Sequence, residues 1–174
     1  TTDLPDLDAV GMPPIVKDLV MFRRGLLLMV GATGSGKSTT LAGMINYRNE
    51  KTASHIITIE DPIEFLHSNK KSIVNQREVG TDTKSYARAL KSAMREAPDV
   101  ILVGEIRDEE TMEIALQAAE TGHLVVSTVH TPDVARTINR LLALCKGPGE
   151  IRERIADCLQ GIIAQRLLPK RDGS

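Results

Sequence analysis

The chain has 174 residues, 41% apolar and 26% charged, with 22 basic against 23 acidic side chains and a formal net charge of -1. That length is one domain, which buries roughly 70% of its unfolded surface, and no apolar stretch approaches the ~20 residues needed to span a bilayer. The balanced charge, with Phe22, Phe65, Tyr47 and Tyr86 as the only aromatics, argues against nucleic acid as a partner, since both a basic surface and stacking rings are in short supply.

Residues 1–14, TTDLPDLDAVGMPP, carry Pro and Asp without sustained periodicity and read as a linker to a domain spanning 15–174. A start without Met suggests a fragment or a processed chain. Ile15, Val16, Leu19 and Val20 suggest a short amphipathic helix ending before Arg23. The run Leu26 to Val30, flanked by glycine on both sides, predicts a buried parallel strand, and a helix follows from Lys37. HIITIE (55–60) reads as a second strand, with Pro62 opening a loop beyond it. Helical spacing around Tyr86, Leu90, Ala93 and Met94 precedes a third strand, VILVG (100–104).

Asp108 is placed to cap the next helix, with Glu109 and Glu110 near its positive end, an apolar stripe of Met112, Ala115, Leu116 and Ala119, and Gly122 as its stop. LVVST (124–128) is a fourth strand. Thr131 and Pro132 begin a helix with the face Val134, Ile138, Leu141 and Leu142, which GPG (147–149) breaks. A last helix is expected through Ile151, Ile155, Leu159 and Ile162, with an edge strand near 165–168. Cys145 and Cys158 lack a C-x-x-C partner or a histidine at finger spacing and read as unpaired thiols rather than zinc ligands. Strands alternating with helices define an α/β domain with a mainly parallel sheet flanked by helices.

The chemistry starts at GATGSGKSTT, residues 31–40. Gly31, Gly34, Gly36, Lys37 and Ser38 satisfy G-x-x-x-x-G-K-[ST] between an apolar strand and a helix, the P-loop context. Its backbone N–H groups, from Gly31 through Ala32, Thr33, Gly34, Ser35 and Gly36 to Thr39, turn inward around phosphates at the positive end of the helix. Lys37 reaches the β- and γ-phosphates of ATP, and the Ser38 hydroxyl ligates Mg²⁺. A P-loop also needs a strand-end acid for the metal. In DVILVGEIRD that acid is Glu105, with Gly104 where many such enzymes carry Asp, and Asp99 and Asp108 left as caps or surface groups.

TIEDPIEF (58–65) offers Glu60, Asp61 and Glu64. Beside a triphosphate, acids are costly unless metal or water activation uses them. Glu64 is expected to polarise the attacking water, with Glu60 and Asp61 organising the metal shell; the alternative is a plain turn. His130 follows a strand's carboxyl end, where ligands of open α/β sheets collect, and is placed to bond the γ-phosphate. His123, just after Gly122, has two readings, a helix-end cap and a site group. His55 and His67 carry no such signal.

GATGSGKSTT, TIEDPIEF, PDVILVGEIRDEETM and AETGHLVVSTVHT resemble, in this order, the Walker A, Asp box, Walker B and His box of the type II/IV secretion ATPases. NQREVGTDTKSYARALKSAMREAPD and the Glu120 of AETGHL are similar to the pilus-retraction (twitching motility) branch, PilT and PilU, rather than to assembly and secretion members, which carry ALTGHL and a four-cysteine insertion. The resemblance runs over residues 11–169. It implies a RecA-like ATPase that hydrolyses ATP to ADP and phosphate in a ring of six, with the site between subunits. By position, Lys37 and Ser38 take the P-loop roles, Glu105 the Mg²⁺ role, Glu64 the water-activating role, and His123 and His130 the His-box roles.

It further implies a PAS-like N-terminal domain and a tail beyond Ser174, both outside this sequence. The location it implies is cytoplasmic and peripheral at the inner membrane, and the partners it implies are a pilus platform protein and a paralogous retraction ATPase. Arg77, Arg95, Arg107 and Arg140 are candidates for interface arginines among which spacing does not choose. The expected function is powering pilus retraction, with an accessory nucleotide-binding subunit, or an assembly or secretion ATPase, as alternatives. A small-molecule kinase would need a lid and an acceptor motif that the sequence does not display.

Overall fold

A computed structural model describes residues 3–32, 34–131, 133–144 and 150–165. Its strands are β1 (Gly25–Val30), β2 (His55–Glu60), β3 (Ile73–Glu78), β4 (Val100–Val103), β5 (Leu124–Val129) and β6 (Leu159–Ala164); its helices are α1 (Ile15–Val20), α2 (Lys37–Lys51), α3 (Tyr86–Met94), α4 (Glu109–Glu120), α5 (Val134–Leu144) and α6 (Glu150–Cys158). Among the described residues the strands form one sheet in the order β3-β2-β4-β5-β1-β6, and every neighbouring pair is parallel. The expected α/β class and parallel sheet are both present.

The unbroken apolar runs of β1, β4 and β5 follow from their position. Each has a strand on either side and helices over both faces, so every residue in them is buried. Alternation divides β1 between the two layers. Leu26, Leu28 and Val30 face Leu90, Met112 and Leu116 of α3 and α4, whereas Leu27 and Met29 face Val16 and Val20 of α1 and Leu41, Met44 and Ile45 of α2. Leu7, ahead of α1, is 3% exposed and packs into this second layer, within contact distance of Gly43.

Two elements differ from the sequence expectation. The strand β3 was not anticipated, because its residues IVNQRE are mostly polar and Ile73 is 58% exposed. It is an edge strand bonded only to β2, so it needs no apolar face on its outer side. The final helix ends at Cys158, so Leu159 and Ile162 belong to β6 rather than to a helical stripe. The spacing of Ile151 and Ile155 in α6 carries on to Leu159, yet Gly161 is unfavourable in a helix and the β-branched Ile162 and Ile163 favour extended pairing with β1. Gly161 also permits close approach, since a Cβ there would lie 3.3 Å from Leu27. The anticipated break at 147–149 and most of the edge strand at 165–168 lie outside the described residues.

The signals around α4 hold in detail, whereas α5 starts at Val134 with the Asp133 side chain accepting the Arg136 N–H, later than the expected start at Thr131 and Pro132. The Asp108 side chain accepts the Thr111 N–H at 2.7 Å, and Ser85 caps α3 through the Arg88 N–H. Gly122, at φ +98, lets the His123 N–H close back onto the Ala118 carbonyl. From α6, Arg154 grips α4: its Nε and Nη2 donate to Glu120 Oε1 at 2.8 and 2.6 Å and its Nη1 to Glu113 Oε1 at 2.9 Å. If the Asp108 carboxylate acts as an N-cap, Asp108→Ala will lower the urea-unfolding free energy by about 1 kcal/mol, while Asp108→Asn, which retains the acceptor, will stay within a few tenths.

Candidate active site

An all-parallel sheet brings the carboxyl ends of its strands to one edge, where the chain must leave each strand through a loop. The segments after β1, β2, β4 and β5 therefore converge, and between them lies a cleft of ≈ 480 Å³. The glycines explain the shape of the first loop. Gly34 and Gly36 sit at φ +80 and +88, and a Cβ on Gly34 would meet nothing within 4 Å, so that backbone faces open space. Gly31 is the tight position: a Cβ there would lie 2.6 Å from both the Gln165 carbonyl oxygen and Ser35 Oγ.

Ala32 accepts the Ser35 N–H and closes the turn. Ser35 Oγ is buried without a hydrogen-bond partner among the described residues. No side chain caps α2, so the N–H groups at its start, on Lys37, Ser38 and Thr39, have no intrahelical acceptor and point to the cleft as an anion site. Thr33 lies outside the described residues.

Lys37 is only 7% exposed. Its ammonium donates to the Gly31 carbonyl at 2.5 Å and to His130 Nδ1 at 2.9 Å. Burial pushes its pKa down, opposed by the negative charge of Glu105. An ammonium can only donate, so His130 Nδ1 is the acceptor and Nε2 carries the ring proton in the neutral tautomer. That Nε2 lies 3.2 Å from Glu105 Oε1. The second oxygen of Glu105 is also engaged, with Arg107 Nε at 3.2 Å. Lys37, His130 and Glu105, from three separate motifs, thus form one chain of close polar contacts across the ends of β1, β5 and β4, a hydrogen bond from Lys37 to His130 and an ion-pair distance from His130 to Glu105.

The acids after β2 face this chain. Burial pushes the Glu60 carboxyl above the usual carboxylate range; hydrogen bonds from Thr58 and Gln76 act in the other direction, and the charges of Glu64 and Glu78 raise it again. Thr58 Oγ1 donates to Glu60 at 2.8 Å. Asp61 and Glu64 line the cleft, and Asp61 lies 3.9 Å from Arg107. Ser38 and Thr39 line it from the helix side.

His123 is not part of this group. It stands at the opposite end of β5, where its Nδ1 lies 2.6 Å from the Pro98 carbonyl oxygen and its own carbonyl accepts the Gly25 N–H. Of its two readings, the single chain supports a structural one at the end of α4. Of the candidate arginines, Arg107 pairs with the cleft acids Glu105 and Asp61, while Arg77 pairs with Glu96. Sequence reasoning missed Tyr86, Thr58, Gln76 and His67, the last set aside for want of a motif. The period-2 relation of Thr58 to Glu60 is the one signal that would have found any of them.

A glycine loop whose open N–H groups face a buried lysine, with strand-end acids across the cleft, defines a P-loop nucleotide-binding domain of the α/β class. The model of the "Type II/IV secretion system protein" family matches residues 3–173, and the chain belongs to that family. It is 52% identical over 171 residues to a "Twitching motility protein" of Neisseria gonorrhoeae, covering 97% of this chain and 46% of that protein. It is 50% identical over 169 residues to the "Type IV pilus retractation ATPase PilT" of Pseudomonas aeruginosa, covering 96% and 49%. A solved structure of the pilus retraction motor PilT with bound ADP superposes with a TM-score of 0.96 at 54% identity, over 99% of this chain and 51% of that one. The chain thus spans about half the length of the curated relatives it matches.

His67 provides a pH test of the cleft wall. Burial, assisted by the charge of Lys70, lowers its pKa to about 4, and its Nδ1 has no hydrogen-bond partner among the described residues. A folded-state pKa below the unfolded value means the unfolded chain binds the proton more tightly. The stability His67 contributes as a neutral ring is complete above about pH 6.5 and is lost as pH falls towards 4. His67→Gln should flatten the pH dependence of urea unfolding between pH 6.5 and 4, and in the parent the His67 ring resonances should titrate near pH 4.

Proposed function

We propose that this domain binds ATP with Mg²⁺ and hydrolyses it to ADP and phosphate as the motor part of a pilus-retraction ATPase. The observation that carries the reading is the Lys37–His130–Glu105 chain, which couples the phosphate-binding lysine to a strand-end carboxylate and to a histidine on a third strand. The residues fit the ligand. The loop presents backbone donors and a buried ammonium for phosphate oxygens, and the orphaned Ser35 hydroxyl lies in the wall of that loop. Across from them stand Glu60, Asp61, Glu64 and Glu105. Among the described residues no three His, Cys, Asp or Glu side chains converge as a self-sufficient metal site. That suits Mg²⁺, which takes most of its ligands from phosphate and water.

Ser38 and Glu105 would hold the ion, directly or through water, with Glu60 and Asp61 orienting its water shell. When bound, the metal neutralises charge on the β- and γ-phosphate oxygens. The remaining chemistry belongs to the side chains. Glu64 orients a water in line with the γ-phosphorus and accepts its proton as the O–P bond forms and the bond to the ADP oxygen breaks. Lys37 and the loop N–H groups stabilise the charge that builds on the phosphates.

His130 is positioned to exchange its bond to Lys37 for one to the γ-phosphate, so release of phosphate restores the Lys37–His130 contact. Extended to the whole protein, the reading includes a homohexameric ring at the cytoplasmic face of the inner membrane, beside a pilus platform protein and a paralogous retraction ATPase. No helix among the described residues is long and apolar enough to cross a membrane.

Lys37→Ala should lower kcat/KM for ATP at least ~100-fold. Glu64→Gln should lower kcat by ~10²–10⁴-fold with nucleotide affinity kept. Parental hydrolysis in Lys37→Ala would overturn the assignment, and nucleotide binding without turnover, with or without a partner ring, would mark an accessory subunit. Deletion in the parent organism should leave surface pili that accumulate without retracting, whereas bald cells would indicate assembly.

A further inference from the structure

The metal side of the cleft contains an arrangement that the hydrolysis reading does not use. Both oxygens of Glu105 are engaged, Oε1 with His130 and Oε2 with Arg107. Arg107 also lies 3.9 Å from Asp61, and its guanidinium sits over the Tyr86 ring, 5.6 Å from the centroid. Its side chain is 57% exposed, so it can leave without disturbing the core.

The position of the Tyr86 ring depends in turn on Gly104. A Cβ at residue 104 would lie 2.9 Å from Tyr86 Oη and 3.2 Å from the Ile59 carbonyl oxygen. The absence of a side chain immediately before Glu105 is therefore what admits the tyrosine beside the acids. Burial raises the Tyr86 pKa to about 12, with the Asp61 charge adding to it, so the ring stays neutral and remains a suitable platform for a cation.

We propose that Arg107, held on the Tyr86 ring over Glu105 and Asp61, is the resident counter-cation of the nucleotide-free cleft and is displaced when a divalent cation enters with its nucleotide. A permanent positive charge at the carboxylates stabilises them without metal, and the same charge opposes a second cation arriving at that place. Arg107 thereby sets the metal concentration at which the site fills. The exposed guanidinium is the partner free to swing outward, whereas His130 is tied to Lys37 as well. Arg107 is a positioning residue for the metal, acting through Glu105 and Asp61. The inference rests on the proposal that the cleft binds a metal–nucleotide complex.

The test is titration with Mn²⁺ of the purified protein mixed with a fluorescent ADP analogue, following nucleotide binding rather than turnover. Arg107→Ala should lower the half-saturating Mn²⁺ about two- to fivefold, the upper part of the range expected when a partly exposed charge pair is removed. Tyr86→Leu, which takes away the platform and leaves the arginine, should shift it in the same direction. The double variant should shift it no further than Arg107→Ala alone, because the two residues act through one contact. An unchanged or raised Mn²⁺ requirement in Arg107→Ala overturns the proposal, and a parental requirement in Tyr86→Leu removes the ring from it. Metal-dependent binding in the parent with no shift in the variants defeats this inference alone. Absence of metal-dependent binding in the parent defeats the nucleotide reading as well.

Discussion

The burial of one positive charge organises the functional half of this molecule. The Lys37 ammonium is taken out of water with a backbone carbonyl and an imidazole nitrogen as its direct partners. Among the described residues no carboxylate lies within ion-pair distance of it, although the Glu105 charge acts on it from further away. Such a cation is under-compensated, and the imbalance favours an anion brought to the loop. The acids on the other wall have the reverse imbalance, with Glu60 pushed towards its neutral form by burial. The lysine wall thus has no ion-paired anion among the described residues, whereas the acid wall has Arg107 against Glu105 and Asp61.

The scaffold that keeps these charges apart was largely legible in the sequence. Continuous apolar runs marked β1, β4 and β5, because a central parallel strand is covered on both faces. The caps at Asp108 and Gly122 were legible for local reasons, since a helix end must satisfy its own backbone groups. The edges were less legible. The strand β3 is polar because half of its environment is water, and β6 was masked by a spacing that serves a helix up to Cys158 and a strand beyond it. In both cases partners distant in sequence override the local signal.

The site divides along the same line. Residues on contiguous motifs, such as Gly34, Gly36, Lys37, Glu105 and His130, were identified from chemistry and order, and the fold brings them together around one cleft. His123 shows the limit of that reasoning. It lies seven positions before His130 in sequence, yet a strand length separates the two in space. Tyr86 was invisible for a different reason. Its place depends on the missing side chain of Gly104, and a pattern of present residues does not register an absence. The residue that looked like a departure from the common acid in this position is the one that leaves room for the tyrosine on the acid side of the cleft.

Gly31 has a consequence for where this domain can be cut. One wall of its niche is the carbonyl of Gln165, whose N–H bonds the Val30 carbonyl and whose side chain bonds the Thr40 hydroxyl at 2.8 Å. The phosphate loop is therefore assembled from two stretches far apart in sequence, one around Gly31 and one around Gln165. A fragment stopping before Leu159 would keep every residue of the glycine motif and lose the backbone against which that motif is moulded. The smallest piece able to preserve the loop's shape is set by the arrival of the last strand rather than by the limits of the motif itself.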